Sequence, residues 1–165
     1  MAIIGMGNSA MDVARTVIRH GAREVTLYAR GLASNASEHE TAYARLDGAA
    51  FEFGKQIAEI TDDGPVFENI LYDEEGNQTG VDEKMEQIYA DSTIISISQG
   101  PKSKLVNTTE GLKASPNGLL MTDENGQTTI PGIFASGDVV LGARTVVEAA
   151  AYSKVVAEAM DEYMR

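Results

Sequence analysis

An α/β fold with a parallel sheet follows from three features of this sequence. An apolar run, Ala2 to Ile4, leads directly into two glycines spaced two apart, Gly5 and Gly7. A helical pattern starts at once, placing Ala10, Val13, Ala14, Val17 and Ile18 on one face, the i, i+3, i+4, i+7, i+8 spacing of an amphipathic helix. A second strand-like run, EVTLYA at residues 24–29, follows the helix. Strand, glycine turn, helix and strand make a βαβ unit, whose two strands are parallel with a right-handed crossover.

The later elements are expected in order. Gly21 stands where a helix-ending glycine belongs. Ser37-Glu38-His39-Glu40 has the S-x-x-E form of a capping box, and its helix should stop at Gly48. The runs AAFEFGKQIAEI, PVFENILYDEEGN and MEQIYADSTIISIS, within residues 49–98, are broken by Asp-Gly and Glu-Gly-Asn turns. Most of this stretch is expected to be an antiparallel meander, followed by a return strand at residues 93–97. After Pro101 a hairpin with its turn near Glu124-Asn125-Gly126 should lead into a buried strand at residues 132–136. The last helix is expected over residues 145–164, with Val146, Val147, Ala150, Ala151 and Val155 sharing a face. Pro101 marks the expected boundary between residues 1–100 and 101–165.

The 165 residues are 43% hydrophobic and 23% charged, the make-up of an ordinary globular protein. A formal net charge of −12 argues against nucleic-acid and anionic-membrane partners, which require a basic footprint. No apolar stretch approaches the length of a membrane span and no charged-then-apolar leader is present, so a cytoplasmic location is expected. The absence of cysteine excludes, within this chain, a disulfide framework, a thiolate zinc site and a redox-active Cys-x-x-Cys pair. Any redox work must therefore be carried by a bound organic cofactor.

In the run Gly5-Met6-Gly7-Asn8-Ser9-Ala10, Gly5 would permit the tight turn. Gly7 would let the backbone approach a pyrophosphate, and Ala10 would allow close packing of helix on strand. The helix start offers free N–H groups and a partial positive charge to phosphates. The alternative is a glycine-rich turn that binds nothing. At the end of the second strand, Tyr28-Ala29-Arg30, no carboxylate is present to take a ribose 2′-hydroxyl. Arg30 suits a 2′-phosphate instead, which favours NADP, with NAD the alternative. A second block, IPGIFASGDVVLGARTVVEAAA, ends an apolar run in Gly137-Asp138 and opens a helix near Thr145. There a carboxylate suits a cofactor hydroxyl, and the N–H groups of Val146 and Val147 suit a polar ligand atom.

No residue stands out as an acid, base or nucleophile. His39 falls at a helix start and His20 near a helix end, both positions with structural explanations. The seven methionines read as core filling. Asp62-Asp63, Asp73-Glu74-Glu75 and Asp82-Glu83 read as solvated turns.

Together GMGNSAMDVART, ASEHETAYARLDGAAFEF, ADSTIISISQGP and IPGIFASGDVVLGARTVVEAA resemble, in order, the C-terminal half of the glutamate synthase small-subunit family. These flavoproteins have two dinucleotide-binding domains and are related to the pyridine nucleotide-disulfide oxidoreductases. The resemblance implies a Rossmann-like NAD(P)H domain with an antiparallel meander, followed by an incomplete C-terminal segment of an FAD domain. It implies that Gly5, Gly7, Asn8 and Ala10 form the NADPH phosphate turn and that Arg30 matches the last arginine after the second strand. Gln99 and Pro101 match the crossing to the flavin domain. Gly137 and Asp138 match the motif whose aspartate holds the FAD ribityl chain, and Thr145, Val146 and Val147 match the helix start near the flavin ring. In such enzymes NADPH gives a hydride to FAD, and electrons pass to iron–sulfur clusters or a partner subunit.

Three departures stand against that pattern. Ala29 replaces the first of two arginines, Ser98 replaces a glycine, and no GxGxxG unit for FAD precedes residue 1. The expectation is therefore a piece of an NADPH:FAD oxidoreductase, inactive alone, whose partner is the other flavin half or another subunit. Exposed apolar surface on its second lobe would favour self-association. The alternative is a nucleotide-binding module without activity. Disulfide exchange of the thioredoxin reductase type is disfavoured, because it needs a cysteine pair.

Overall fold

The computed structural model describes residues 1–165, which divide into two compact units, Met1–Ser98 and Gln99–Arg165. The first is built in three layers. Its central sheet is parallel, with strands β1 (Ala2–Ile4), β2 (Thr26–Tyr28), β3 (Ala50–Glu52) and β7 (Thr93–Ile95) in the order β3-β2-β1-β7. Side chains alternate along these strands as the pleat requires. Ile3, Val25 and Leu27 face helices α1 (Asn8–Arg19) and α2 (Glu38–Leu46). Ala2, Ile4 and Tyr28 face the other way, onto the buried Phe67.

Phe67 belongs to a second sheet, an antiparallel meander of β4 (Lys55–Thr61), β5 (Gly64–Tyr72) and β6 (Gln78–Gln87). Its ring stacks on that of Tyr28 at 4.6 Å between centroids and an interplanar angle of 25°. With both faces covered, β1 and β2 read as continuous apolar runs in sequence.

The first residues of the expected meander instead extend the parallel sheet. The run AAFEFGKQIAEI splits at Gly54: Ala50–Glu52 pairs with β2, and Lys55–Thr61 opens the meander. Both halves are apolar and strand-forming, so periodicity alone did not reveal the change of sheet.

Helices α1 and α2 are tied by charge. Arg15 bonds to Asp47 at 3.0 Å and Glu40 at 3.2 Å, and its guanidinium lies 5.0 Å from the Tyr43 ring centroid. Its hydrogen bond to Asp47 holds that carboxyl below its usual range. The S-x-x-E box is thus half formed. Ser37 Oγ accepts from Glu40 N at 3.3 Å, while the Glu40 carboxylate turns to Arg15.

The second unit contains α3 (Lys104–Thr108), α4 (Asp138–Leu141) and α5 (Val146–Met164), joined by turns and the isolated bridges Ala114↔Leu120, Thr122↔Thr128 and Gln127↔Phe134. The hairpin expected near residue 126 is present, with Asp123 Oδ1 accepting from Asn125 N and Gln127 N, each at 2.9 Å. The strand expected at 132–136 is reduced to a single bridge at Phe134, and Ile133 is 43% exposed. The expected apolar face of α5 is also turned outward: Val146 and Val147 are 84% and 78% exposed, and Val156 is the buried residue. A Cβ on Gly126 would come within 2.4 Å of Val156 Cγ2, so the bare hairpin turn is the seat for that side chain. Tyr163 closes the end, edge-on to Phe134 at 5.7 Å. None of the helices is long and apolar enough to cross a membrane.

Candidate functional site

The glycine turn sits where the strand order reverses. Chain from β1 runs outward to β2 and β3 on one side, and β7 returns on the other. In open parallel sheets such a switch point leaves a crevice at the carboxyl ends of the strands. Gly5 is locked between both neighbours: its N–H donates to Tyr28 O at 2.9 Å, and Ser96 N donates to Ile4 O at 2.7 Å. With φ +132, a Cβ here would lie 2.1 Å from Ser96 O. Gly5 is thus required by the passage of the chain leaving β7, a reason the spacing motif alone does not contain.

Gly7 differs. It is the N-cap of α1 in an extended conformation (φ −92, ψ 179), with no side chain capping the helix, and a Cβ there would meet nothing within 4 Å. The helix start is therefore left without a side-chain partner, with open space at the Gly7 Cβ position. Ala10 is fully buried against the sheet, as close helix–strand packing demands. Asn8 and Ser9 are exposed on the first turn. The Asn8 side chain accepts from Ser37 N at 2.8 Å.

Met6 contributes through its backbone. Its carbonyl accepts from Asn35 N at 3.0 Å, Ala36 N at 3.1 Å and Ser34 Oγ at 3.1 Å. With the Asn8–Ser37 bond, these contacts fasten the loop after β2 onto the glycine turn. The repeated small polar residues of ASNAS were the available signal for this role.

Arg30, at the exit of β2, is exposed and takes part in none of the ion pairs. Its carbonyl accepts from the Tyr72 hydroxyl on β5. Arg30 and the uncapped helix start follow adjacent strands at the same edge of the sheet.

In the second unit, Gly137 adopts φ +72 ahead of α4, and the exposed Asp138 carboxylate takes no hydrogen bond from a neighbour. Thr145 caps α5 in a full capping box. Thr145 Oγ1 accepts from Glu148 N, and Glu148 accepts from Thr145 N and its hydroxyl. Those bonds, with Arg144 at 2.9 Å, pull the Glu148 carboxyl down to about 2. The box leaves the N–H groups of Val146 and Val147 free, but places a fixed negative charge beside them. Gln99 is exposed at the start of this unit.

The same fold is found in solved reductases. The chain superposes on thioredoxin reductase of T. acidophilum with TM-score 0.78 and 19% identity, covering 99% of this chain and 52% of that one. Thioredoxin reductase of Lactococcus lactis gives TM-score 0.75 and 23% identity, over 98% and 52%. The fold is thus that of the reductases with FAD and NAD(P) domains. Residues 1–154 match the pyridine nucleotide-disulphide oxidoreductase family, and the chain belongs to it. This family works with FAD and NAD(P)H.

Curated relatives are similar along the whole chain. The NADPH glutamate synthase small chain of Halomonas elongata is 32% identical, over 99% of this chain and 38% of its own length. The beta subunit of the NADP(+)-dependent formate dehydrogenase of Moorella thermoacetica is 30% identical, over 100% and 25%. The PreT subunit of an NAD-dependent dihydropyrimidine dehydrogenase from Escherichia coli O157:H7 is 31% identical, over 98% and 36%. The chain therefore spans well under half the length of these relatives.

Proposed function

We propose that this chain is the nucleotide-handling part of an NADPH:FAD oxidoreductase of the glutamate synthase small-subunit type. Residues 1–100 would be its NAD(P)H domain and 101–165 the C-terminal segment of its flavin domain. The carrying observation is the uncapped start of α1 behind Gly7, where an added Cβ would meet nothing within 4 Å, with the unpaired Arg30 at the end of the next strand.

In this reading Gly7, Asn8 and Ser9 present the helix start to the pyrophosphate, while Gly5, Met6 and Ala10 fix its geometry. Arg30 takes the 2′-phosphate. Asp138 accepts from a ribityl hydroxyl, and Gly137 allows the turn that presents it. Gln99 begins the crossing between the domains. Thr145, Val146 and Val147 start the helix that meets the flavin, where the ionised Glu148 favours a neutral polar ligand atom over an anionic one. A bound nicotinamide and flavin would supply hydride-transfer chemistry. No side chain need exchange a proton, since positioning of the two rings is the protein's contribution. The rest of the flavin site would come from another half or a partner subunit, to which electrons pass. The outward apolar face of α5 also suits self-association.

Calorimetric titration of the chain with NADP+ and NAD+ tests the nucleotide half of the reading. Arg30→Ala should weaken NADP+ about tenfold, the scale of one charge-assisted hydrogen bond, and leave NAD+ unchanged. Equal losses for both nucleotides would defeat the assignment. For the flavin half, a visible spectrum after incubation with FAD and desalting decides whether this chain holds flavin itself. A colourless protein that still binds NADP+ would be a nucleotide module.

A further inference from the structure

Three consecutive carbonyls at the exit of β2 are each held by the connection into the meander or by the meander itself. Lys55 N donates to Ala29 O at 2.9 Å, the Tyr72 hydroxyl donates to Arg30 O, and Gly54 N donates to Gly31 O at 3.3 Å. Two of these donors are backbone; only Tyr72 brings a side chain. Its ring rests on the backbone turn at Gly54, where a Cβ would stand 3.5 Å from Tyr72 Cε2. The next hairpin of the meander lies against the same loop, since a Cβ on Gly76 would be 3.8 Å from Leu32 Cδ1.

From this juxtaposition we infer that Tyr72 is a positioning residue for nucleotide specificity, fixing the backbone from which Arg30 reaches the 2′-phosphate. The inference rests on the proposed role of Arg30. An arginine side chain is long and flexible, and the next residue is a glycine. Without an anchor, both backbone and side chain would have to be ordered when the phosphate binds, and that ordering subtracts from affinity. The anchor acts on the phosphate alone, because the glycine turn that takes the pyrophosphate is common to both nucleotides. The meander, far along the chain from the βαβ unit, would thereby share in choosing the nucleotide.

Tyr72→Phe keeps the ring on Gly54 and removes only the hydroxyl. Titration of the full chain should show the NADP+ over NAD+ affinity ratio falling about fivefold, with NAD+ affinity unchanged. In an Arg30→Ala background the same change should leave the ratio where Arg30→Ala put it. General damage would lower both affinities together, so the ratio separates positioning from loss of fold. If Arg30→Ala collapses the ratio while Tyr72→Phe does not, the inference is overturned and the role of Arg30 stands. An equal fall from Tyr72→Phe with or without Arg30 would also overturn it, because the effect would not pass through the guanidinium. If Arg30→Ala itself leaves the ratio intact, both readings fall.

Discussion

Of the fifteen buried hydrophobic residues, fourteen lie in Met1–Ser98 and one, Val156, in Gln99–Arg165. The first unit is supported on both faces of its sheet, by two helices and by the meander. The second is held mainly by tight turns, three isolated bridges and one helix resting on a hairpin. A site built on the first inherits a packed scaffold, so its geometry is set before any ligand arrives. In the second, Asp138, Val146 and Val147 stand on surface that its own residues leave uncovered.

The sharpest way to break that contrast is to remove one core side chain from each unit. Phe67 is fully buried and stacked on Tyr28. Phe67→Ala should cost about 3 to 5 kcal/mol in urea unfolding. Val156 is smaller and backed by a single hairpin, so Val156→Ala should cost about 1 to 2 kcal/mol. Two-dimensional amide spectra would then show the first unit intact in Val156→Ala, with signals of α5 and the residue 123–127 turn collapsing. Equal losses, or a single shared transition in both variants, would mean that the second unit is as firmly built as the first.

Within the first unit, Gly5 and Gly7 sharpen the comparison between a residue the fold needs and one proposed to face the ligand. Gly5→Ala drives a methyl into the backbone at Ser96 and strains a φ of +132. It should cost about 3 kcal/mol or more. Gly7→Ala meets no atom and keeps an allowed φ of −92. Its stability change should stay within about 1 kcal/mol, the scale of an altered N-cap, while nucleotide affinity falls about tenfold. A Gly7→Ala protein that binds NADP+ normally would show that the pyrophosphate does not approach there.

These contrasts also show which parts of the molecule were legible in the sequence. The βαβ unit was readable because β1, α1 and β2 are contiguous and each has a local signal: apolar run, glycine turn, helical stripe. The family was readable for the same reason, since its motifs come in order along one chain. The switch of Ala50–Glu52 into the parallel sheet was not, because a short apolar strand carries no mark of which partner it will take. Nor was the direction of α5. Its most apolar stripe, Val146 to Val155, looks inward by composition, yet Val156 is what the bare turn at Gly126 accepts. The T-x-x-E spacing of Thr145–Glu148 is the sequence signal of the capping box that starts α5. The Met6 carbonyl and the Tyr72 hydroxyl act on residues far along the chain, a pairing that only the folded topology creates.

The smallest expected effect concerns that same capping box, and it asks whether the weaker unit depends on its local hydrogen bonds. Thr145 and Arg144 lower the Glu148 carboxyl from 4.5 to about 2. A carboxyl whose folded pKa is depressed adds stability that is fully present above its unfolded value and lost as pH falls through its folded one. The contribution should therefore fade between about pH 4.5 and 2, because a neutral Glu148 accepts more weakly from the Thr145 N–H and hydroxyl and no longer pairs with Arg144. Carbon-detected titration of the Glu148 carboxyl should show the depressed midpoint, with the Val146–Glu148 amides moving toward random-coil shifts over the same range. Glu148→Gln should flatten that pH dependence without altering the α1 amides. A midpoint near the ordinary glutamate value would mean that the box is not formed in solution, leaving α5 held chiefly by the packing of Val156 on Gly126.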